Sequence, residues 1–210
     1  MGLTGREKLR DYADAVASPT PAPGGGSVAA VCGALAAALA RMVASIALGK
    51  KEYRKARGEL KLVCKRSEEL QDRLLKLAEK DSKAYMAVVE SFSLPKGTPE
   101  QSEKRRVAVQ HALKEATEMP LEIMQSCLDV LRLSKKALEK GSREAFTDAG
   151  SGALIAHAAM RSAELNVRVN LISIRDSDFR RRAEARAKRI SREGASILRG
   201  IEGMIQQRPQ

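Results

Sequence analysis

A helical repeat of apolar residues over almost the whole chain is the feature that most limits how this sequence can fold. Apolar positions recur every three or four residues nearly everywhere in the 210-residue sequence, whereas no useful stretch alternates apolar and polar residues. Aromatic residues make up only 3% of the chain, so the core must consist of small and aliphatic side chains. Such side chains suit closely packed helices better than sheets. We therefore predict an all-α fold, a single domain over 1–210 built as a bundle of long, mostly antiparallel helices.

Turn and cap signals divide this repeat into consecutive helices. The predicted helices cover about 5–17, 27–48, 51–92 and 99–140, and two more lie on either side of the turn at "RDSD". Ser27 is the predicted N-cap of the second helix, which is rich in Ala and Gly and is therefore expected at the centre of the bundle. Thr98, Pro99 and Gln101 form a capping box with a proline at the first helical position. Pro120 must kink its helix or begin a new one, because proline has no backbone N–H.

Two helices carry stripes of residues with alternating spacings of three and four, the pattern by which one helix faces others. The first stripe consists of Leu60, Val63, Ser67, Leu70, Leu74, Leu77, Asp81, Ala84 and Val88. The second stripe consists of Ser151, Ile155, Ala158, Ser162, Leu165, Val169 and Ile172. A second protomer would cover stripes that a single chain leaves exposed, so we expect a two-fold homodimer.

Asp81 is the strongest candidate for a catalytic residue because it is an acid within the otherwise mostly apolar first stripe. A buried carboxylate is unfavourable unless it is paired, protonated or used in a reaction. Burial raises the pKa of an aspartate toward the range in which it can transfer protons at neutral pH. The alternative is a partly hydrated stripe or a structural ion pair with one of the many lysines and arginines. The sequence leaves both interpretations open.

Charge and cysteine usage restrict the class of protein further. A formal net charge of +12 suggests an anionic partner, but interleaved acids and the shortage of aromatics argue against a dedicated nucleic-acid binder. The N-terminus lacks a secretory signal, and the apolar run Val28–Ala40 is too short and too weakly apolar to span a bilayer. Cys32, Cys64 and Cys127 lie far apart within helical patterns, which indicates buried, reduced thiols rather than disulfides or a zinc site. We predict a cytoplasmic protein that binds neither nucleic acid nor membrane.

The loop "PAPGGGS" before the second helix combines rigid prolines with three glycines. Backbone N–H groups at such a helix start can bind a carboxylate or an oxyanion. We expect Gly25 and Gly26 to adopt backbone angles closed to other residues and to present their N–H groups to a ligand. The loop lacks the Lys-Ser/Thr ending of a nucleotide-binding P-loop and does not follow a strand. The alternative interpretation is a simple entry into a buried helix.

Several polar residues are weaker candidates. Asp148 lies near a helix start, where an acid commonly complements the helix dipole. Asn166 and Asn170 share one helix face, where they either cross-link helices or line a polar pocket. His111 and His157 have no partner at a metal-ligand spacing, so each is interpreted as a surface or packed histidine.

Several segments together resemble one protein family. "SPTPAPGGGSVAA" with the Ala-rich helix and "GKKEY", then "DSKAYMAVVESFSLPKGTPE", "ATEMPLEI" and "TDAGSGALIAHAAMRSAELNVRVNL", are similar in order to the C-terminal domain family of formiminotransferase-cyclodeaminase. The resemblance covers about residues 9–179. It implies an all-α, usually dimeric enzyme that acts on tetrahydrofolate carrying a one-carbon unit, with the folate derivative as substrate and no metal or other cofactor.

The resemblance also implies roles for individual residues. Asp81 falls on the proposed proton donor and acceptor of the family. The positions that it assigns to folate binding are Gly24, Gly25, Gly26, Ser27, Lys50, Lys51, Tyr85, Asp148, Asn166 and Asn170. Among them, the two lysines just after the Ala-rich helix would suit the glutamate tail of a folate, which can be polyglutamylated.

Two reactions of this family fit a single acid–base carboxylate. We favour the cyclodeaminase reaction, in which 5-formiminotetrahydrofolate closes to 5,10-methenyltetrahydrofolate and releases ammonia. The alternative is the cyclohydrolase reaction, in which water opens 5,10-methenyl- to 10-formyltetrahydrofolate. A third hypothesis, from a different class, is a helical protein without catalytic activity that binds a polyanion or serves as a scaffold.

Overall fold

The computed structural model describes residues 9–207, and within this range every regular element is helical. The helices are α1 (Leu9–Ala17), α2 (Gly25–Leu48), α3 (Arg57–Ser93), α4 (Pro99–Lys140), α5 (Phe146–Ile172) and α6 (Ser177–Gln206). A 3₁₀ segment, Lys51–Ala56, precedes α3 and takes the place of the predicted beginning of that helix. The predicted all-α fold is confirmed. The predicted start of the first helix near residue 5 lies outside the described residues.

Helices α2, α3, α4 and α5 form a four-helix bundle in which neighbouring helices run antiparallel. Close contacts fix the alignment at α2: an added Cβ at Gly33 would lie 3.2 Å from Leu74 of α3 and 2.8 Å from the Cys127 sulfur of α4. On the other side of α2, an added Cβ at Gly152 of α5 would lie 3.2 Å from the Ala36 carbonyl oxygen. These distances leave no room for larger side chains, so the small residues of α2 allow the helices to pack at short range.

Helix α6 lies outside the bundle, against α4 and α5. Arg186 of α6 pairs with Glu118 of α4 at 2.9 Å, and Ser191 donates a hydrogen bond to Glu164 of α5 at 2.8 Å. Helix α6 begins at Asp176, whose side chain accepts a hydrogen bond from the Phe179 N–H at 2.9 Å. Because α6 packs against α4 and α5, no long helix within residues 9–207 packs on the outer surface shared by α2 and α5.

Cap signals predict the start of α4 correctly and the start of α2 incorrectly. The capping box of Thr98 and Gln101 is present. By contrast, the N-cap of α2 is Gly24, and Ser27 lies within the first turn of the helix. Pro120 does not begin a new helix, because α4 continues through it from Pro99 to Lys140.

The two stripes behave differently. Most members of the first stripe are buried in the bundle, among them Leu60, Leu74 and Leu77. No member of the second stripe is buried, and Val169 and Ile172 are 64% and 79% exposed. The opposite face of α5, lined by alanines, packs against α2 and α4 instead. Alanine allows the closest helix approach, so the bulky stripe remains on the outside of the protomer.

Helix α2 is long and apolar enough to cross a membrane by length and composition alone. The sequence-based judgement that this region is too short considered only 28–40, whereas the helix has 24 residues. In the fold, α2 packs against three other long helices, as a core helix does. Even so, only 44% of its most apolar stretch is buried within the protomer.

Candidate active site

The first turn of α2 and the middle of α3 meet at Asp81. The first intrahelical bond of α2 runs from the Val28 N–H to the Gly24 carbonyl at 3.0 Å, so the N–H groups before Val28 have no acceptor within the helix. Asp81 accepts a hydrogen bond from one of them, the N–H of Ser27. A carboxylate at the positive end of a helix dipole is favourably placed, and here it comes from a different helix.

Gly26 is required by the close approach of Asp81. An added Cβ at Gly26 would lie 2.6 Å from the carboxyl carbon of Asp81 and closer still to both oxygens, so any side chain here would displace the acid. The expectation that Gly25 and Gly26 adopt angles closed to other residues is wrong, since no described glycine has a positive φ and both lie in helical backbone. Position 26 therefore needs glycine for space and not for conformational freedom, whereas an added Cβ at Gly25 would meet nothing closer than 3.7 Å.

The carboxyl group of Asp81 is largely removed from water. Burial raises its pKa from 3.8 to about 6, although the hydrogen bond from the Ser27 backbone opposes the shift. Among residues 9–207, no lysine, arginine or histidine forms an ion pair with it. The structural ion pair that the sequence left open is thus absent from the described part of the chain. An acid with this pKa can both accept and donate a proton near neutral pH.

Tyr12 is a member of the site that sequence analysis missed. Its hydroxyl group lies 3.1 Å from the Ser27 hydroxyl, so α1 is joined to the same helix end that holds Asp81. Burial raises the pKa of Tyr12, and the nearby charge of Asp81 contributes to the shift. The available signal was an aromatic residue, rare in this chain, in the helix that leads into the glycine loop.

Asn166 and Tyr85 border the same region. The Asn166 amide nitrogen lies 3.7 Å from the position of an added Cβ at Gly25 and donates to the Ser162 carbonyl at 3.1 Å. Tyr85 follows Asp81 by one turn of α3 and is 48% exposed. The structure therefore brings Gly24–Ser27, Asp81, Tyr85 and Asn166 to one end of the bundle.

Asn170 has a structural partner. Pro120 has no N–H, so the carbonyl of Ala116 loses the hydrogen bond that it would otherwise accept within α4. The side-chain nitrogen of Asn170 donates to this carbonyl at 2.8 Å. Of the two interpretations open for Asn170, the structure supports the cross-link between helices for its amide nitrogen.

Lys50, Lys51 and Asp148 lie at the opposite end of the bundle. Helix α2 separates Gly25 from Lys50 by about 36 Å, at about 1.5 Å per residue. Lys50 pairs with Glu144 just before α5, at 2.6 Å. Asp148 is in the first turn of α5, about 27 Å from Asn166 near its end. Within one protomer these three residues therefore lie too far from Asp81 to share a pocket with it, and their predicted role in folate binding stays a prediction.

The structure also bears on metals and thiols. In the described range, no three His, Cys, Asp or Glu side chains are placed to hold a metal ion. Cys32, Cys64 and Cys127 are all free thiols. Only Cys127 is buried, while the other two are half-buried, so the expectation of three buried thiols is correct for one.

An open groove of about 770 Å³ between the end of α3 and the start of α4 shares no residue with the Asp81 region.

Residues 9–207 thus form an all-helical bundle in which the Asp81 carboxyl group lies against a glycine-rich helix start. The model of the formiminotransferase-cyclodeaminase family matches residues 8–189, so the chain belongs to this family of enzymes. The family resemblance noted in the sequence is thereby confirmed.

Individual relatives cover the chain almost completely. The chain is 39% identical over 188 residues to a methenyltetrahydrofolate cyclohydrolase of Methylorubrum extorquens. The aligned residues make up 90% of this chain and 89% of that protein. The chain is 32% identical over 193 residues to a formimidoyltransferase-cyclodeaminase of Gallus gallus, of which it spans only 36%. The crystal structure of a formiminotetrahydrofolate cyclodeaminase from Thermotoga maritima matches with a TM-score of 0.87, at 29% identity and 96% coverage of both chains.

Proposed function

We propose that this enzyme acts on a one-carbon derivative of tetrahydrofolate and that Asp81 transfers the protons of the reaction. The observation that carries the proposal is the Asp81 carboxyl group, which lies against Gly26, has no cationic partner among residues 9–207 and has a pKa of about 6. General acid–base catalysis is most efficient when the pKa of the catalytic group lies near the working pH. The family to which the chain belongs supports the same substrate class.

Of the two reactions, we favour the cyclohydrolase. Its support is the Methylorubrum relative, which has the highest identity of the relatives described above and nearly the same extent as this chain. In this reaction water attacks the methenyl carbon, and the Asp81 carboxylate accepts a proton from that water. As the bond between the carbon and N5 breaks, the protonated acid delivers a proton to N5, which leaves 10-formyltetrahydrofolate and releases one proton overall.

The cyclodeaminase reaction is the second candidate, favoured by the sequence analysis and supported by the Thermotoga structure. There N10 of 5-formiminotetrahydrofolate attacks the formimino carbon and loses its proton to Asp81. The same proton then passes to the leaving nitrogen, so ammonia departs and 5,10-methenyltetrahydrofolate forms. Both reactions require one group that accepts and then returns a proton on the same side of the folate.

A direct assay separates these possibilities. The absorbance of the methenyl compound falls during the cyclohydrolase reaction and rises during the cyclodeaminase reaction. We expect Asp81→Asn to lower the rate by about 10²- to 10⁴-fold, the usual contribution of a general acid–base group. Asp72→Asn is the matched control, since Asp72 is an exposed acid on the same helix. An unchanged rate in Asp81→Asn would contradict the mechanism.

Inactivity of the unaltered protein on both folates would favour the hypothesis of a helical protein without catalysis. In that case heparin, and not folate, should raise the melting temperature, because a net charge of +12 attracts polyanions without specificity.

A homodimer is part of the proposal. Its support is the second stripe on α5, which keeps a heptad spacing although its Leu165, Val169 and Ile172 are more than 60% exposed. The exposed Leu35 and Met42 of α2 extend this apolar surface. An isologous interface formed by it would exceed roughly 2,000 Å², the lower end of the range for obligate dimers. Light scattering at micromolar concentration tests this, and a fully active monomer of 22.8 kDa would contradict it.

The dimer gives the distant lysines a route to the substrate. If the two α5 helices pair antiparallel about the two-fold axis, the Lys50 end of one protomer lies beside the Asp81 end of its partner. Lys50 and Lys51 would then bind the glutamate tail of a polyglutamylated folate held at the partner's Asp81.

A further inference from the structure

Helix α1 carries a tyrosine into the Asp81 region although the helix itself contributes nothing to the core. None of the nine residues of α1 is buried, and Leu9 and Val16 are 77% and 37% exposed. Tyr12 is half-buried and forms the side-chain hydrogen bond that joins α1 to α2. A helix with so little buried surface has low local stability, so this contact has a large influence on where α1 lies.

Ser27 connects Tyr12 to Asp81, because its side-chain hydroxyl contacts one residue and its backbone N–H contacts the other. Its hydroxyl lies 3.1 Å from the Tyr12 hydroxyl, and its backbone N–H donates to the Asp81 carboxyl group. Ser27 is only 2% exposed, so water does not compete effectively for either group. The order of contacts is thus Tyr12, Ser27 and Asp81, from three different helices.

We propose that Tyr12 is a positioning residue of the Asp81 site: it holds Ser27 in place through its hydroxyl and closes the site against water through its ring. This rests on the proposed function of Asp81. The hydroxyl and the ring have separable effects, because phenylalanine retains the ring and alanine retains neither.

The ring controls how strongly Asp81 is desolvated. Burial is the main cause of the raised pKa of Asp81. The half-buried Tyr12 of α1 lies near enough for the charge of Asp81 to act on it, so its ring is placed to limit access of water to this carboxyl group. Within residues 9–207, Tyr12 on α1 is the titratable group on which the charge of Asp81 acts, and the charge of Cys32 on α2 acts on Tyr12 as well. Asn166 on α5 is neutral. Loss of the ring therefore changes solvation at Asp81 without removing a cation.

The experiment measures the titration of Asp81 by carbon-13 NMR in the full chain, with the aspartates labelled and the signal assigned from Asp81→Asn. In Tyr12→Ala, we expect the pKa of Asp81 to fall from about 6 toward 3.8 as water enters. In Tyr12→Phe, the ring remains and the pKa should stay near its original value. An Asp81 pKa that is unchanged in Tyr12→Ala would overturn the proposal.

Kinetics test the role of the hydroxyl group. We expect Tyr12→Phe to lower kcat by about five- to tenfold, the factor corresponding to one net hydrogen bond, with KM nearly unchanged. In a Ser27→Ala background the same change should have no further effect, because the hydroxyl acts through Ser27. An undiminished effect of Tyr12→Phe in that background would contradict this coupling.

Tyr53→Phe is the matched control. The Tyr53 hydroxyl accepts a hydrogen bond from the Arg143 N–H at 2.9 Å, at the far end of the bundle. Its removal should leave both kcat and the Asp81 titration unchanged. Since α1 buries no residue, the Tyr12 variants should fold normally, which circular dichroism verifies. Should the unaltered protein prove inactive on folates, the NMR titration still tests Tyr12, so failure of the two proposals can be told apart.

Discussion

Asp81 and Glu164 are two carboxyl groups that the fold largely removes from water, and their polar partners differ. Asp81 accepts from one backbone N–H and pairs with no cation of the described chain, and burial raises its pKa to about 6. Glu164 on α5 is 4% exposed and accepts hydrogen bonds from Arg161 at 2.8 Å, Arg168 at 2.7 Å and Ser191 at 2.8 Å. Burial opposes its ionisation, but the hydrogen bonds from Ser191 and Arg168 and the charges of both arginines outweigh burial and lower the pKa.

The difference separates a carboxylate that stabilises the fold from one that is available for chemistry. Glu164 stays ionised because its partners satisfy the charge, and through Ser191 it fastens α6 to α5. Asp81 has no such compensation, so its charged form is unfavourable and a proton is readily exchanged near neutral pH. A buried acid that the fold leaves without a cation is the stronger candidate for catalysis, and four changes test this comparison.

The largest expected effect is a gain of stability in Asp81→Asn. A carboxyl group whose pKa rises on folding binds more protons in the native state than in the unfolded state between pH 3.8 and about 6. Ionised Asp81 therefore destabilises the fold above pH 6 by at most about 3 kcal/mol, at about 1.4 kcal/mol per pKa unit. Urea unfolding should show Asp81→Asn more stable than the unaltered protein at pH 7 and equally stable below pH 4. Equal stability at both pH values would show that Asp81 is hydrated.

The same acid-to-amide change at Glu164 should have the opposite sign. Glu164→Gln replaces a charged acceptor of two guanidinium groups, which we expect to cost about 2 kcal/mol of unfolding free energy at pH 7. Because the pKa of Glu164 is lowered in the folded state, its stabilisation is present above pH 4.5 and is lost as the pH falls through the folded pKa. Urea titrations at pH 7 and at a series of pH values below 4.5 measure both effects. If Glu164→Gln were more stable than the unaltered protein at pH 7, the proposed difference between Glu164 and Asp81 would be wrong.

The sequence predicts one of these acids and not the other, for a physical reason. Asp81 is conspicuous because it interrupts an apolar stripe of α3, and the helical fold follows from the same periodicity. Glu164 is not predicted because it lies on the alanine face of α5, which is the buried one. The stripe of large apolar residues, which the sequence suggests as the buried face, lies on the outside of the protomer. Periodicity identifies a helix and its faces, but contacts between several helices decide which face is buried.

Distances between residues on different helices also cannot be predicted from the spacing of residues in the sequence. The role of Gly26 depends on how near α3 approaches α2, which no sequence spacing specifies. The distance between Lys50 and Asp81 is different, because a continuous helix from Gly25 to Leu48 must separate its ends by about 35 Å. The length of a predicted helix therefore already argues against placing residues from its two ends in one pocket of a single protomer.

A smaller effect is expected where a neutral group satisfies a buried acceptor. Asn170→Ala leaves the Ala116 carbonyl without a donor, because Pro120 has no N–H, and we expect a loss of about 1–2 kcal/mol. In a Pro120→Ala background, the new backbone N–H can donate to that carbonyl, so Asn170→Ala should then cost clearly less. Urea unfolding of the four proteins in this cycle gives the coupling. Equal losses in both backgrounds would show that Asn170 has another role, for instance at the substrate.

The smallest effect is expected for a charge that is paired but not buried. Lys50 and Glu144 form an ion pair at 2.6 Å, with 33% and 78% of their side chains exposed. The hydrogen bond to Glu144 raises the pKa of Lys50, yet solvent screens such a pair, and Lys50→Met should not change the urea midpoint measurably. Lys61→Met, an exposed lysine on α3, is the control for loss of charge.

The same variant tests whether the two ends of the bundle meet in a dimer. If each protomer works alone, KM for a polyglutamylated folate should be unchanged in Lys50→Met, since Lys50 lies about 36 Å from Gly25. If the partner's lysine end borders the Asp81 site, KM should rise for the polyglutamylated substrate and remain constant for the monoglutamate. A rise for both substrates alike would indicate a general effect of charge, which Lys61→Met would then reproduce. The comparison of tail lengths therefore decides whether Lys50 binds substrate or only joins α2 to the segment before α5.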